Sequence, residues 1–111
     1  MGITIDVSEE RQSENEVLLR INGEVNIHTS TELRKRLKPL LTEQQKTIHV
    51  ALDGVHFMDS SGIATLIEGL QWSRETGGKF VLSGLTDTVR DVFILSKLDT
   101  VFEIEDDEPA A

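Results

Sequence analysis

Apolar positions along the chain fall into two rhythms. Ile3, Ile5 and Val7 alternate with Thr4 and Asp6, the two-residue period of a half-buried strand. Residues 8–15 are polar and read as a loop. Val17, Leu19 and Ile21 repeat the alternation and predict a second strand. So short a connection leaves no room for a helical crossover, so the two strands are expected to pair antiparallel. After Gly23 the period lengthens. Thr29 and Glu32 have the spacing of a capping box, in which each side chain satisfies a free amide at a helix start. Leu33, Leu37, Leu40 and Leu41 follow as one helical stripe. Pro39 cannot donate to the carbonyl of Lys35, so a kink or weak point is predicted there.

Ile48, Val50 and Leu52 predict a third strand, and Ile63, Leu66, Ile67 and Leu70 the apolar face of a second helix. Gly77 and Gly78 suit its C-terminal stop. Phe80, Val81 and Leu82 give a fourth strand, Val89, Val92 and Phe93 a third helix, and residues 101–104 a last short strand. The order β, β, α, β, α, β, α, β implies right-handed crossovers and a mostly parallel sheet with one antiparallel edge. The predicted class is α/β: a four- to five-stranded mixed sheet with helices mainly on one face. Residues 99–108 hold six acidic residues and no basic one, and read as a solvated, frayed end.

Composition narrows the possibilities. A chain of 111 residues holds one domain, with the core expected over about residues 3–104 and an acidic tail over 105–111. Hydrophobic residues make up 38%, too many for a wholly disordered chain. Cysteine is absent, which excludes disulfides, thiolate metal sites and thiol catalysis. Twenty acidic residues against eleven basic give a net charge of −9. Such a surface repels phosphate backbones and anionic lipid, so direct binding to nucleic acid and insertion into membrane are not expected. No apolar run is long enough to span a bilayer, and the first residues lack a basic-then-apolar leader, so a cytoplasmic location is expected.

The candidate chemistry lies in Phe57-Met58-Asp59-Ser60-Ser61-Gly62, at a junction between strand and helix. Open α/β sheets gather their sites at the carboxyl ends of the strands. Asp59 and Ser60 are both good N-cap residues, and capping alone accounts for the local sequence. The functional alternative is a serine hydroxyl displayed at a helix N-terminus, where free amides and the helix dipole favour added negative charge. Gly62 lets another surface approach that turn closely. Enzymatic motifs are missing: there is no Gly-x-Ser-x-Gly elbow and no glycine-rich phosphate loop. His28, His49 and His56 form no pair at metal-ligand spacing, and His49, between Ile48 and Val50, is expected to point to the opposite face of its strand. No metal or cofactor is expected. Asn22-Gly23 is a hairpin signal in isolation, but the capping box that follows favours a turn from strand into loop. Trp72 lies off its helix stripe, either covering the edge of the core or standing exposed as a partner anchor.

Three stretches together resemble the STAS domain, the fold of bacterial anti-sigma factor antagonists. Gly23-Glu24-Val25-Asn26 is similar to that family's Gly-Glu-Leu/Val-Asp motif, with Asn26 where Asp is frequent. Residues 57–62 resemble its phosphorylation turn, and Gly77-Gly78-Lys79-Phe80-Val81-Leu82 its glycine stop and following strand. The resemblance implies a non-enzymatic switch. It makes Ser60 the phosphorylated residue, and Asn26, Asp59, Ser60, Ser61 and Gly62 the partner-binding set. The implied partner is an anti-sigma factor with serine kinase activity, which the unphosphorylated form binds, so freeing a sigma factor. Phosphorylation ends the binding and a serine phosphatase resets it. The same fold also serves as a subunit of membrane transport complexes, docked on an ATPase or permease, and that is the alternative. A small hydrolase using Ser60 or Ser61 is a third, for which the sequence shows no base and no oxyanion hole.

Overall fold

The structure, a computed structural model, describes residues 5–42 and 46–106. In chain order the elements are β1 (Ile5–Ser13), β2 (Glu16–Val25), α1 (Ser30–Thr42), β3 (Thr47–Met58), α2 (Ser60–Thr76), β4 (Lys79–Ser83), α3 (Asp87–Leu95), a 3-10 turn (Leu98–Thr100) and β5 (Glu103–Glu105). They build a five-stranded sheet in the order β1-β2-β3-β4-β5. β1 runs antiparallel to β2, and every other neighbouring pair is parallel. This is the mixed α/β sheet that the periodicity predicts. Because each parallel strand is added on the same side of the last, right-handed crossovers bring α1, α2 and α3 to one face.

The core forms on that face. Val17, Leu19 and Ile21 of β2, Ile48, Val50 and Leu52 of β3, and Phe80 and Leu82 of β4 join Leu33, Leu37, Leu66, Val89 and Phe93 from the helices in one cluster. Leu33, Leu37 and Leu66 are wholly buried. Ile63 and Ile67 are only partly covered, and the deepest line of α2 is Gly62, Thr65, Leu66, Gly69, Leu70 and Ser73. The register places His49 in one row with Leu18 and Val81, on the face away from the helices, as expected. Trp72 packs against the edge of the core, with the Arg34 guanidinium 5.4 Å from its ring centre, which decides for the covering role. No helix among the described residues is long and apolar enough to cross a membrane.

Several local expectations are corrected. Residues 8–13 are strand, not loop: β1 continues through Ser8↔Arg20 and Glu9↔Leu19 to a tight turn at Glu14 and Asn15. An edge strand bonded through its backbone needs no apolar alternation, so the period is silent there. Asn22-Gly23 is not a turn either. Both residues stay in β2, with register shifts on either side of them, because β3 runs on to Met58 and keeps β2 paired. The capping box does not form. The Thr29 hydroxyl donates to the Glu24 carbonyl and accepts from the Asn26 amide, while the Glu32 carboxylate lies 3.5 Å from Lys35. Pro39, where a kink or weak point is predicted, lies inside α1, which runs on to Thr42 with Leu40 and Leu41 buried on the core. Finally, the acidic stretch is ordered up to residue 106. Phe102, 5.5 Å from Phe93 and 6.3 Å from Phe80 between ring centres, anchors it and starts β5. Ile3 and the tail residues 107–111 lie outside the described residues.

Candidate functional site

β3 ends at Met58 and α2 begins at Ser60, so one residue makes the corner. That residue is Asp59, in an extended conformation (φ −100, ψ −172). Its Oδ1 accepts from the amides of Ser61 at 2.9 Å and Gly62 at 3.4 Å. Asp59 is therefore the cap, and it uses two of the free amides of α2. At the far end Gly77 takes the left-handed conformation (φ 75), and the Gly78 amide closes the helix on the Ser73 carbonyl at 2.8 Å. With both ends fixed, Ser60 is held at the first helical position, and its side chain is exposed. Ser61 is half-buried and its carbonyl accepts from the Thr65 hydroxyl at 3.0 Å.

Gly62 is buried. A Cβ there would stand 2.6 Å from Val25 Cγ1 and 2.7 Å from Met58 Cγ. The close approach that a glycine permits is thus taken by the chain's own β2 and β3, not by an incoming surface. The contact seats the start of α2 against the end of β2, and the Asp59 amide donates to the Val25 carbonyl at 3.1 Å.

That join brings the loop after β2 beside the serine turn. Asn26 is its hub and is only 7% exposed. Asn26 Oδ1 accepts from the amides of His28 at 2.8 Å and Thr29 at 3.1 Å, and Asn26 Nδ2 donates to Glu24 Oε2 at 3.4 Å. The side chain folds the loop upon itself, as short polar side chains do in turns. Its functional groups are spent within the loop rather than offered to solvent. What the loop does offer is Ile27, 68% exposed; Phe57, one residue before the end of β3, is 45% exposed.

The site is therefore a surface, not a cleft. The Ser60 hydroxyl is exposed at this end of the fold, where Ile27 and Phe57 are exposed as well. A cleft of about 360 Å³ lies at the opposite ends of the strands, lined by Asn15, Lys46, Thr47, Gly77, Gly78 and Lys79. The structure brings Asn26, Asp59, Ser60, Ser61 and Gly62 together, but only Ser60 among them is exposed. Phe57 opens the stretch that the sequence singles out; Ile27 lies outside it. The available signal was an isoleucine in a loop, outside any apolar period.

Against known proteins, the model of the STAS domain matches residues 8–111. An anti-sigma-B factor antagonist of Bacillus subtilis is 29% identical over 104 residues, covering 94% of this chain and 92% of that one. Among solved structures, the anti-sigma factor antagonist SpoIIAA in its unphosphorylated form superposes with a TM-score of 0.74 at 24% identity, over 90% of this chain and 88% of the other. The Bacillus cell fate determinant SpoIIAA in its phosphorylated form gives 0.69 at 23%, over 90% and 91%.

Proposed function

The chain belongs to the STAS domain family, and from that premise we propose that it is an anti-sigma factor antagonist whose binding is gated by phosphorylation of Ser60. The observation that carries this is the exposed Ser60 hydroxyl at the first position of α2, on a turn that the Asp59 amide joins to the end of β2, with Ile27 and Phe57 exposed on the adjoining loop and strand. The unphosphorylated surface is flush and partly apolar, suited to packing against an anti-sigma factor that carries serine kinase activity. Ile27 and Phe57 are its anchors, and water is excluded around them when the partner docks. Asn26 acts from below by fixing the loop that presents Ile27. Its neutral amide, where the family often has Asp, donates to the Glu24 carboxylate at 3.4 Å.

Phosphorylation places roughly −1.5 to −2 charge at the centre of this surface. Asp59 already occupies the amides of Ser61 and Gly62, so the helix gains little from the new anion and the fold loses little. The change falls on the interface, where a dianion would be buried without its water. A hundredfold loss of affinity needs only about 2.7 kcal/mol, within the cost of one unpaired buried charge. A serine phosphatase restores the flush surface.

The test is affinity capture of the protein from its source cells with intact-mass measurement, followed by binding of the captured partner to variants. Ser60→Ala is expected to bind constitutively and to carry no phosphate. Ser60→Asp is expected to lose binding while melting within a few degrees of wild type. Equal phosphorylation of Ser60→Ala would remove the site assignment, and a Ser60→Asp protein that unfolds early yet binds when folded would remove the interface mechanism.

A further inference from the structure

Five large hydrophobic side chains among the described residues are exposed, and only Ile27 and Phe57 belong to the serine surface. The other three, Ile94, Leu95 and Val101, are 50%, 84% and 43% exposed. They lie elsewhere in the molecule. α3 begins at the carboxyl end of the sheet, where the Thr86 hydroxyl donates to the Val55 carbonyl at 2.8 Å. It then runs back along the sheet, as a right-handed crossover requires, so its last residues sit toward the end remote from Ser60.

This exposure is not that of a frayed helix end. The Ser96 amide donates to the Val92 carbonyl and the Lys97 amide to the Ile94 carbonyl, both at 3.0 Å. The chain then turns through Lys97 in the left-handed region (φ 59), a conformation that costs a non-glycine residue energy and persists only where its surroundings impose it. The Val101 and Phe102 amides both return to the Leu98 carbonyl. Beneath the turn, Phe93 and Phe102 are buried ring against ring. Ile94 and Leu95 on one limb and Val101 on the other are therefore displayed from a fixed backbone. The exposed charges nearest them in the chain are mainly acidic: Asp91, one helical turn before Leu95, and Asp99 in the 3-10 turn are exposed, and Arg90 is engaged by Asp106 at 3.4 Å, leaving Lys97 as the opposing charge.

We propose that the turn joining α3 to β5 is a second docking surface, built for a protein segment whose apolar side chains are ringed by Lys or Arg. Leu95 enters that segment's apolar face and the aspartates meet its basic rim. Charge decides the occupant. A second copy would bring two acidic rims together, and anionic lipid would meet a chain of net charge −9. Because the surface is remote from Ser60, occupancy is independent of phosphorylation, and the protein can stay tethered to one partner while the serine surface exchanges another. The inference goes beyond the phosphorylation reading and does not rest on it.

The test uses the full-length protein, isotope-labelled, with two synthetic amphipathic helical peptides of equal length, one of Leu and Lys and one of Leu and Glu, at physiological salt. The Leu/Lys peptide is expected to shift the backbone signals of Ile94, Leu95, Lys97 and Val101, and the Leu/Glu peptide to leave them unmoved. Leu95→Gln, at a position 84% exposed and so without a part in the core, is expected to weaken that binding about tenfold or more, as loss of a central apolar anchor does. Ser60→Asp is expected to leave it unchanged. Shifts spread over every acidic part of the surface, equal binding by Leu95→Gln, or equal binding of the Leu/Glu peptide would each overturn the proposal. Broadening of the same signals with protein concentration alone would overturn the choice of occupant in favour of a second copy.

Discussion

At the scale of single residues, the serine turn separates two roles that its sequence runs together. Asp59 holds the helix start and Ser60 is free of that duty. Asp59→Ala is therefore expected to cost about 0.5–2 kcal/mol, the range for loss of a helix cap, in urea unfolding. Ser60→Ala is expected to stay within about 0.5 kcal/mol of wild type, as at an ordinary surface position. If the two costs were reversed, Ser60 would be the cap. Asn26 is the third residue of this kind. Asn26→Ala leaves the His28 amide without its acceptor and the Thr29 amide with only the Asn26 carbonyl, in a loop where Asn26 and Thr29 are buried. A loss of about 1–3 kcal/mol is expected, together with weaker partner binding, since the loop presents Ile27. Asn26→Asp keeps the acceptor oxygen and is expected to recover most of that stability. These three residues were legible in the sequence as a group. Their division of labour was not, because capping and display call for the same residue types.

At the scale of elements, α2 matters most because it carries the site on a rigid seat. Leu66 is wholly buried where α2 meets the sheet, and Leu66→Ala is expected to cost about 2–5 kcal/mol, through lost burial and the cavity left behind. Gly62→Ala tests the seat itself. The added methyl group would overlap Val25 and Met58, and overpacking of this kind costs about 1–3 kcal/mol. The variant is expected to melt earlier and to move the backbone signals of Val25, Met58 and Ser60 together. Unchanged melting would mean that the start of α2 can shift away from β2 freely. The helix stripes of α1 and α3 could be read directly, since a period near 3.6 survives wherever one face meets a core. The second half of β1 and the end of β2 could not. Their residues stay in strand because a neighbouring strand completes their hydrogen bonds, and that information is not local.

At the scale of the whole molecule, the sheet is bonded through its middle and open at its edges. β3 is paired on both sides, while β1 and β5 each have one neighbour. Hydrogen exchange is expected to be slowest in β2, β3 and β4, where exchange requires global unfolding, and faster at β1 and β5, which open locally. Equal protection of β5 would mean that the Phe80, Phe93 and Phe102 cluster ties the last strand into the main cooperative unit. On the same scale, the two exposed apolar groups lie toward opposite ends of the fold, one beside Ser60 and one at the turn after α3.

The sequence by itself determined the α/β class, the element order, the antiparallel edge and the buried leucines of α1 and α2, because each rests on a local period or on a connection too short for any other path. It also singled out the turn from Phe57 to Gly62, because glycine, serine and aspartate before an apolar helix have few uses. Only the tertiary structure decided that Gly62 faces Val25 and Met58, that Asn26 is occupied within its own loop, and that Thr29 bonds backward to Glu24 instead of capping with Glu32. It alone decided that residues 99–106 are ordered and that Ile27, Phe57 and Leu95 face solvent. In each case the outcome depends on which distant backbone or side chain arrives to fill a space or accept a hydrogen bond, and no local pattern encodes that neighbour.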